Sequence, residues 1–237
     1  MPPTSPQQSA RRSTPRSGQG RKNVRGEATR RLIITAAEKL FAENGISAVP
    51  LRDIGVAAGQ RNHAAVQYHF GDRDEVVKAI LELRGAESEE SRTGIVAELM
   101  TGPTPPTVVD VVGAFVRPLA IHLREDNHYL AFLSHFITEE GGYQGLGDVR
   151  AGASVLTLRA TLSRLVPQIP EAVLEERWWV VLTGAVHTLA RYQAAQRKGR
   201  THLTAGIDVL VDDLVTFLSG GLAAPLVEGD PRVEASG

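Results

Sequence analysis

The feature that most constrains the fold is a helical period of apolar residues, which begins near Glu27 and continues along most of the chain. In its first stretch, apolar side chains recur three and four positions apart, which places them on one face of an α-helix. These residues are Ile33, Ala36, Ala37, Leu40 and Phe41. No alternating stretch is long enough to build a sheet, and no internal repeat is present. The sequence therefore predicts an all-α fold.

Glycine and proline divide this pattern into helices. Gly45 ends the first helix, because glycine readily adopts the left-handed backbone found at helix C termini. A short second helix begins at Pro50, a favoured first residue, and ends at Gly59. A third helix is predicted over residues 62–70 and a long fourth helix over 74–100. The later helices are predicted over residues 108–123, 128–139, 149–166, 171–198 and 204–218.

Charge is divided unevenly along the chain. The net charge is −1, but residues 1–70 hold eleven basic and four acidic side chains, a net of +7, and the remainder carries −8. A basic first third is typical of a segment that meets a polyanion such as nucleic acid. Residues 1–24 contain too little apolar surface to fold and are predicted to form a disordered basic arm. That arm is either a solubilising tail or an addition to phosphate binding.

Several function classes are excluded by composition. The chain has no cysteine, which rules out disulfides, thiolate catalysis, zinc fingers and iron–sulfur clusters. No Ser/His/Asp set, carboxylate pair or metal-binding cluster stands out, so we expect no enzyme, no cofactor and no metal. No apolar run approaches the ~20 residues of a membrane span, and no signal peptide is evident, so we expect a cytoplasmic protein. Glycine-rich residues 141–147 lack the flanks of a phosphate-binding loop and are interpreted as a connector.

The two short helices form a candidate helix-turn-helix, in which the second helix lies in the major groove of DNA and the first contacts the backbone. With Val66 and Phe70 facing inward, the outward residues include Gln67, which can pair with an adenine edge. Small helical domains of other function share this spacing. The residues predicted to contact or adjoin DNA are Arg52, Arg61, Asn62, His63, Ala64, Ala65, Gln67, Tyr68, His69 and Arg73.

Residues 31–83 resemble the N-terminal domain of TetR-family (tetracycline-repressor-like) transcriptional regulators. The matching residues are Ile33, Ala36, Ala37, Leu40, Phe41, Gly45, Leu51, Arg52, Asp53, Ile54, Ala58, Gly59, Tyr68, His69, Phe70, Asp72, Arg73, Asp74, Glu75, Val76 and Val77. The resemblance implies phosphate contacts by Tyr68 and His69. It also places Arg52 and Arg73 at basic positions of the family.

Two features depart from the family pattern. Val49-Pro50 replaces the usual Ser/Thr cap before the second helix, which removes a capping hydroxyl worth ~1 kcal/mol. The turn over residues 59–63 is one residue longer than usual, which affects how the third helix meets DNA.

The resemblance also implies a domain plan. Residues 25–84 would form the DNA-binding domain, residues 85–219 a helical ligand-binding and dimerisation domain, and residues 220–237 a flexible tail. Independently, residues 178–195 are apolar nearly all round, which indicates burial on two sides and hence a homodimer. The candidate dimer-interface residues are Trp179, Val186, His187, Ile207, Leu210 and Leu214.

Aromatic and histidine residues on the apolar stripes are the candidates for a ligand pocket. Adjacent helical residues point about 100° apart, so Trp178 and Trp179 are not expected to face the same cavity, and Trp178 is preferred. A lone histidine on such a stripe is more often a hydrogen-bonded core residue. The candidates for binding an aromatic or amphipathic ligand are Phe115, His122, Tyr129, Phe132, His135, Phe136, Trp178 and Leu182.

The sequence thus predicts a ligand-responsive repressor that binds a pseudo-palindromic double-stranded DNA operator as a homodimer. Its effector is an unknown small molecule. Two alternatives stay open: a DNA-binding activator, and a helical carrier or enzyme with a basic N-terminal domain.

Overall fold

A computed structural model describes residues 17–60, 64–123, 126–139, 152–197 and 205–226, with backbone only for residues 17–25. All regular structure in these ranges is helical, which confirms the all-α prediction. The helices are α1 (Ser17–Asn44), α2 (Leu51–Ala57), α3 (Ala65–Phe70), α4 (Arg73–Thr101), α5 (Val108–Ala120), α6 (Tyr129–Glu139), α7 (Ala153–Leu165), α8 (Glu171–Arg197) and α9 (Ile207–Ala223). A 3₁₀ turn, Ile121–Leu123, follows α5.

Helix ends follow local chemistry. Gly45 and Gly59 have positive φ, +86° and +69°, as expected of glycines that stop helices. Asp72 caps α4 by accepting a hydrogen bond from the Glu75 amide at 3.0 Å. Thr107 and Asp110 form a reciprocal capping box at the start of α5, which satisfies amides that the helix leaves unpaired. These signals explain why the helix order could be read from the sequence.

Two terminal predictions were wrong. Helix α1 begins at Ser17, so residues 17–24 are helical rather than disordered. Extending an existing helix adds one hydrogen bond per residue fixed, so a polar segment can continue a well-packed helix. Helix α9 continues to Ala223 and into the predicted tail, because Leu222 is buried and anchors its last turn. Residues 1–16, 141–147 and 227–237 lie outside the described residues.

The core extends through both halves of the molecule. In the first half, Ile33, Phe41, Ile54 and Val66 are all buried and pack α1, α2 and α3 together. In the second half, α8 packs against α6, α9 and α5. Within the described residues, no helix is long and apolar enough to cross a membrane.

Two carboxylates fasten the first three helices to α6. Glu38 of α1 is buried and accepts hydrogen bonds from Arg84 Nε at 2.7 Å and from the His128 amide at 2.6 Å, just before α6 begins. Glu139, the last residue of α6, accepts from the amides of Ile46 and Ser47 at 3.0 and 2.8 Å. Helix α6 is therefore held at both ends to the helix-turn-helix unit.

Candidate DNA interface and ligand cavity

Helix α3 presents a sharply divided surface. Val66 and Phe70 are buried, as the helical wheel predicts, and Gln67 points to solvent on the opposite side. Tyr68 is 85% exposed, which is more than most tyrosines in folded proteins. Ala64 is exposed and Ala65 is half-buried. The surface thus offers an amide and a phenol to whatever lies against it.

The ring of Tyr68 is oriented by its neighbour. Tyr68 and His69 meet edge to face, with ring centroids 5.2 Å apart. Arg30 of α1 lies over the ring of Phe70, with its guanidinium carbon 4.9 Å from the ring centroid. Arg30 was not predicted as part of this surface, because it precedes the matched motif and lies on a different helix. It places a cation beside α3.

The two predicted basic contacts differ in their surroundings. Arg52 lies at the start of α2, and its side chain is 78% exposed and pairs with neighbouring Asp53 at 3.2 Å. Arg73 is half-buried and donates from Nη2 to the Val49 carbonyl at 3.0 Å. Since Pro50 makes no side-chain cap, Arg73 braces the start of α2 from the beginning of α4. Arg73 therefore has a positioning contact that the sequence did not reveal.

Arg61, Asn62 and His63 lie outside the described residues, so the expected longer turn is not described either. The remaining predicted residues of this surface come from α2, α3 and the start of α4. Arg52, Ala64, Gln67 and Tyr68 are exposed, and Ala65, His69 and Arg73 are half-buried.

A cavity of about 600 Å³ lies among α4, α5, α6, α7 and α8. Four of the predicted pocket residues line it: Phe115, Tyr129, Trp178 and Leu182. Trp178 is buried and meets Phe115 edge to face at 5.7 Å between centroids. The rest of the wall is largely apolar and includes Leu81, Leu119, Leu133, Val155, Leu156 and Val186.

The other four pocket candidates do not line this cavity. His122 lies behind the wall, fully buried, and its ring nitrogens hydrogen-bond Ser88 Oγ at 3.1 Å and Asn127 Nδ2 at 3.2 Å. Phe132 and Phe136 stack on each other in the core at 6.3 Å. His135 points instead toward Glu139, with 3.4 Å between Nδ1 and Oε1. Apolar periodicity identifies buried faces but does not separate a cavity wall from a filled core.

The expectation that the two tryptophans face different surroundings was also wrong. Trp179 lines the same cavity as Trp178. A helical wheel represents each side chain only as a direction from the helix axis. Both indole rings are large enough to reach a cavity that extends along α8, although their Cβ atoms point in different directions. Trp179, a dimer-interface candidate, thus lines the cavity.

Charged residues in the wall were missed by the sequence reasoning. Arg92 of α4 is buried and donates from Nη1 to Glu89 at 2.9 Å. Glu89 also accepts from the Ser154 amide and hydroxyl, at 3.2 and 2.7 Å. The signal was present, since Ser88, Arg92 and Val96 recur every four residues along the buried side of α4. Among the described residues, no cluster of three or more His, Asp or Glu side chains suits a metal ion.

Most dimer-interface candidates belong to the subunit's own core. Val186 and Leu214 are buried, while Ile207 and Leu210 are half-buried and packed on the core. His187 is exposed, and its Nδ1 lies 2.6 Å from Ser134 Oγ. The large apolar side chains that α8 and α9 leave exposed are instead Val180, Val209 and Phe217, at 59%, 63% and 76%.

Two protein-family models match this chain, one in its N-terminal part and one in its C-terminal part. A family model for bacterial regulatory proteins of the tetR family matches residues 33–80. A model for the tetracyclin repressor-like C-terminal domain matches residues 113–221.

The HTH-type transcriptional repressor Rv3405c of Mycobacterium tuberculosis is 44% identical over 55 residues, which are 23% of this chain and 29% of that protein. The HTH-type transcriptional regulator Mb3439c of Mycobacterium bovis matches to the same extent. The chain thus matches less than a third of the length of these relatives.

Two solved structures are similar over most of their length. GusR of Salmonella enterica is 17% identical, with a TM-score of 0.45 over 82% of this chain and 95% of that one. A putative TetR-family regulator of Mesorhizobium loti is 14% identical, with a TM-score of 0.46 over 84% and 97%.

Proposed function

Because the chain belongs to the TetR family of DNA-binding transcriptional regulators, we propose that it is a ligand-responsive repressor. A homodimer binds a pseudo-palindromic operator, and a small molecule in the cavity releases it. One observation carries the proposal: α4 begins at Arg73, directly after α3, and the same helix reaches the cavity wall at Arg92. The candidate DNA-reading helix and the cavity are thus connected by one continuous helix.

The DNA contacts are assigned by chemistry. Gln67 is the readout residue, because an amide can donate to and accept from an adenine edge in the major groove. Tyr68 and Arg52 contact phosphates, which position the protein without specifying sequence. Arg73 acts by fixing the start of α2. The unit over residues 27–70 has a net charge of only +1, so binding draws on both subunits of the dimer.

Dimerisation uses the exposed apolar side chains of α8 and α9. Val180, Val209 and Phe217 expose apolar surface that a second copy can bury. Most soluble homodimers have two-fold symmetry, which presents two α3 helices to half-sites related by the same symmetry. That arrangement accounts for a pseudo-palindromic operator.

The release step requires a ligand that prefers one arrangement of the subunits. A preference of ~1–3 kcal/mol changes operator affinity about 5- to 150-fold. Two elements can transmit it. Helix α4 connects to α3 directly, and α6 contributes Tyr129 and Leu133 to the cavity while both its ends are tied to the first three helices.

The proposal is tested first on DNA. Fragments of genomic DNA that the protein retains give the operator, and fluorescence anisotropy then measures affinity for operator and random duplexes. If ~6–10 phosphates are contacted, affinity falls ~10³–10⁵-fold between about 50 and 200 mM salt. A flat salt dependence would contradict DNA binding by this surface.

Two variants separate the roles of α3. Gln67→Ala should weaken operator binding more than random binding, by about 1–3 kcal/mol, whereas Tyr68→Ala should weaken both alike. Gln196→Ala, at an exposed position of α8, is the matched control and should change neither. Equal losses on both duplexes for Gln67→Ala would refute its role in readout. In a promoter–reporter assay the protein should lower expression, and activation would refute repression.

A further inference from the structure

We propose that the cavity binds an aromatic carboxylate, whose acid group pairs with the buried guanidinium of Arg92. The inference rests on the proposed function, because it names the chemical class of the effector. It is carried by how charge is distributed in the wall, by a guanidinium donor without an acceptor, and by the aromatic lining.

Positive charge lies deeper in the cavity wall than negative charge. The Arg92 side chain is 6% exposed and its partner Glu89 is 31% exposed. Arg159 and its partner Glu175 repeat the pattern at 13% and 46%. Glu82, the third carboxylate of the wall, is exposed. Water screens these carboxylates better than the guanidiniums, so an anion in the cavity meets its least-screened charges at Arg92 and Arg159.

Of the two guanidiniums, Arg92 has donor capacity to spare. Arg159 is committed to Glu171, Glu175 and Ser163. Within the described residues, Arg92 Nε is buried and has no hydrogen-bond acceptor. A buried donor without a partner destabilises the folded protein, and more so when it is charged. A ligand carboxylate can supply the missing acceptor.

The charge of Arg92 is also incompletely balanced. Burial lowers the pKa of its guanidinium below the ordinary value, although Glu89 acts in the opposite direction. Glu89 divides its hydrogen bonding between Arg92 and both donors of Ser154. A second carboxylate beside Arg92 would therefore stabilise the charged form of its buried guanidinium.

The aromatic residues of the wall favour a ligand in which that carboxylate is attached to an aromatic ring. Phe115, Tyr129, Trp178 and Trp179 all face the cavity. The Arg92 guanidinium lies over Phe115, 5.3 Å from the ring centroid, so the cationic site adjoins the aromatic surface. Aromatic rings pack on one another at such distances, offset or edge to face. A ring with a short acidic side chain satisfies both halves of this lining.

Binding of the acid would affect the hydrogen bonds through which Glu89 of α4 holds the start of α7. Nε is closed to solvent, so the guanidinium must turn toward the ligand for Nε to be reached. That turn would also move Nη1, which donates to Glu89, and Glu89 in turn holds Ser154 at the start of α7. The acid and Glu89 would then share one guanidinium on the helix that follows α3.

The test uses three probes of one shape on the full chain: 3-phenylpropanoate, 3-phenylpropanamide and 3-phenylpropylamine. Both tryptophans of the chain line the cavity, so their fluorescence reports occupancy, with excitation where a phenyl ring does not absorb. The carboxylate should bind about tenfold or more tightly than the amide, since a charge-assisted hydrogen bond contributes ~1.5–3 kcal/mol. The amine should bind most weakly. Equal affinities, preference for the amine, or no saturable change with any probe would overturn the proposal.

A substitution then locates the preference. Arg92→Gln should abolish the carboxylate-over-amide ratio, whereas Arg164→Gln, at an exposed position of α7, should retain it. A ratio that survives in Arg92→Gln would refute the assignment. The comparison of probes on the unaltered protein stands even if Arg92→Gln fails to fold. Operator binding by the unaltered protein is measured separately, so a protein that binds its operator without any carboxylate preference disproves this inference alone.

Discussion

Replacing Glu38 tests how the helix-turn-helix unit is held to the rest of the molecule. The Glu38 side chain is 1% exposed, and its ion-pair partner Arg84 is 18% exposed. One carboxylate oxygen accepts from Arg84 Nε and the other from the His128 amide, so a single side chain joins α1, α4 and the start of α6. Glu38→Ala removes both contacts, whereas Glu38→Gln retains an acceptor but removes the charge.

The expected cost follows from burial. Removing one partner of a buried ion pair costs about 3–5 kcal/mol, because the other charge is left uncompensated. Glu38→Ala should approach that range and should also leave the His128 amide unpaired. Arg84 retains some access to water, and a glutamine oxygen still accepts one hydrogen bond, so Glu38→Gln should cost about 2 kcal/mol. The order of the two variants matters more than either magnitude.

Urea unfolding followed by circular dichroism measures the free energy of unfolding of each variant. Protein concentration is held constant, because the proposed dimerisation would contribute to apparent stability. Glu75→Gln is the control: Glu75 pairs with Lys78 at the surface, with side chains 54% and 47% exposed, and such pairs contribute about 0–1 kcal/mol. If Glu38→Gln unfolds within about 0.5 kcal/mol of the unaltered protein, the buried carboxylate does not hold the two halves together as argued.

Three further predictions concern α6, a turn and the dimer. Burial alone would raise the pKa of Glu139, but hydrogen bonds from the amides of Ser47 and Ile46 lower it overall below its ordinary value. Glu139→Gln should therefore destabilise near neutral pH, by an amount that is lost as the pH falls through the depressed pKa of Glu139, and a pH-independent loss would refute this. Gly45→Ala should cost about 1–3 kcal/mol, since φ is +86° and a Cβ would lie 2.6 Å from Glu139 Oε1, whereas a Gly94→Ala control in open space should not destabilise. Phe217→Glu should shift the dimer to monomer in light scattering, and an unchanged mass would exclude Phe217 from the interface.

The helix order could be predicted because its signals are local. Gly45 and Gly59 each follow the end of a predicted apolar helix and adopt the positive φ that glycine tolerates. The spacing of Val66 and Phe70 defines the inner side of α3 without reference to any other helix. The same reasoning identified the outward position of Gln67. These features depend on a few neighbouring residues, which a sequence displays directly.

The cavity and the dimer surface depend on how distant helices pack, and the sequence shows these poorly. Val186 and Val180 are both valines of α8, yet one is buried in the subunit's core and the other is 59% exposed. Periodicity assigned the first to a dimer because it cannot distinguish a subunit's core from a partner. Arg92 was overlooked for the converse reason, since a charged residue on a buried stripe contradicts the apolar pattern. Such a contradiction is itself a sign of a functional site.

The magnitudes also limit where the molecule can move when a ligand binds. In the proposed mechanism, ligand binding would release DNA through about 1–3 kcal/mol of coupling. That is no more than the ~3–5 kcal/mol expected for uncoupling the buried Glu38 pair alone, and Glu139 adds a second attachment at the other end of α6. A ligand in the cavity is therefore too weak a perturbation to detach α6 from the first three helices. Because Tyr129 and Leu133 expose α6 to that ligand, the helix-turn-helix unit and α6 should shift together against α8 and α9. In the proposed dimer, motion at that boundary would change the distance between the two α3 helices, which must match the spacing of the two operator half-sites.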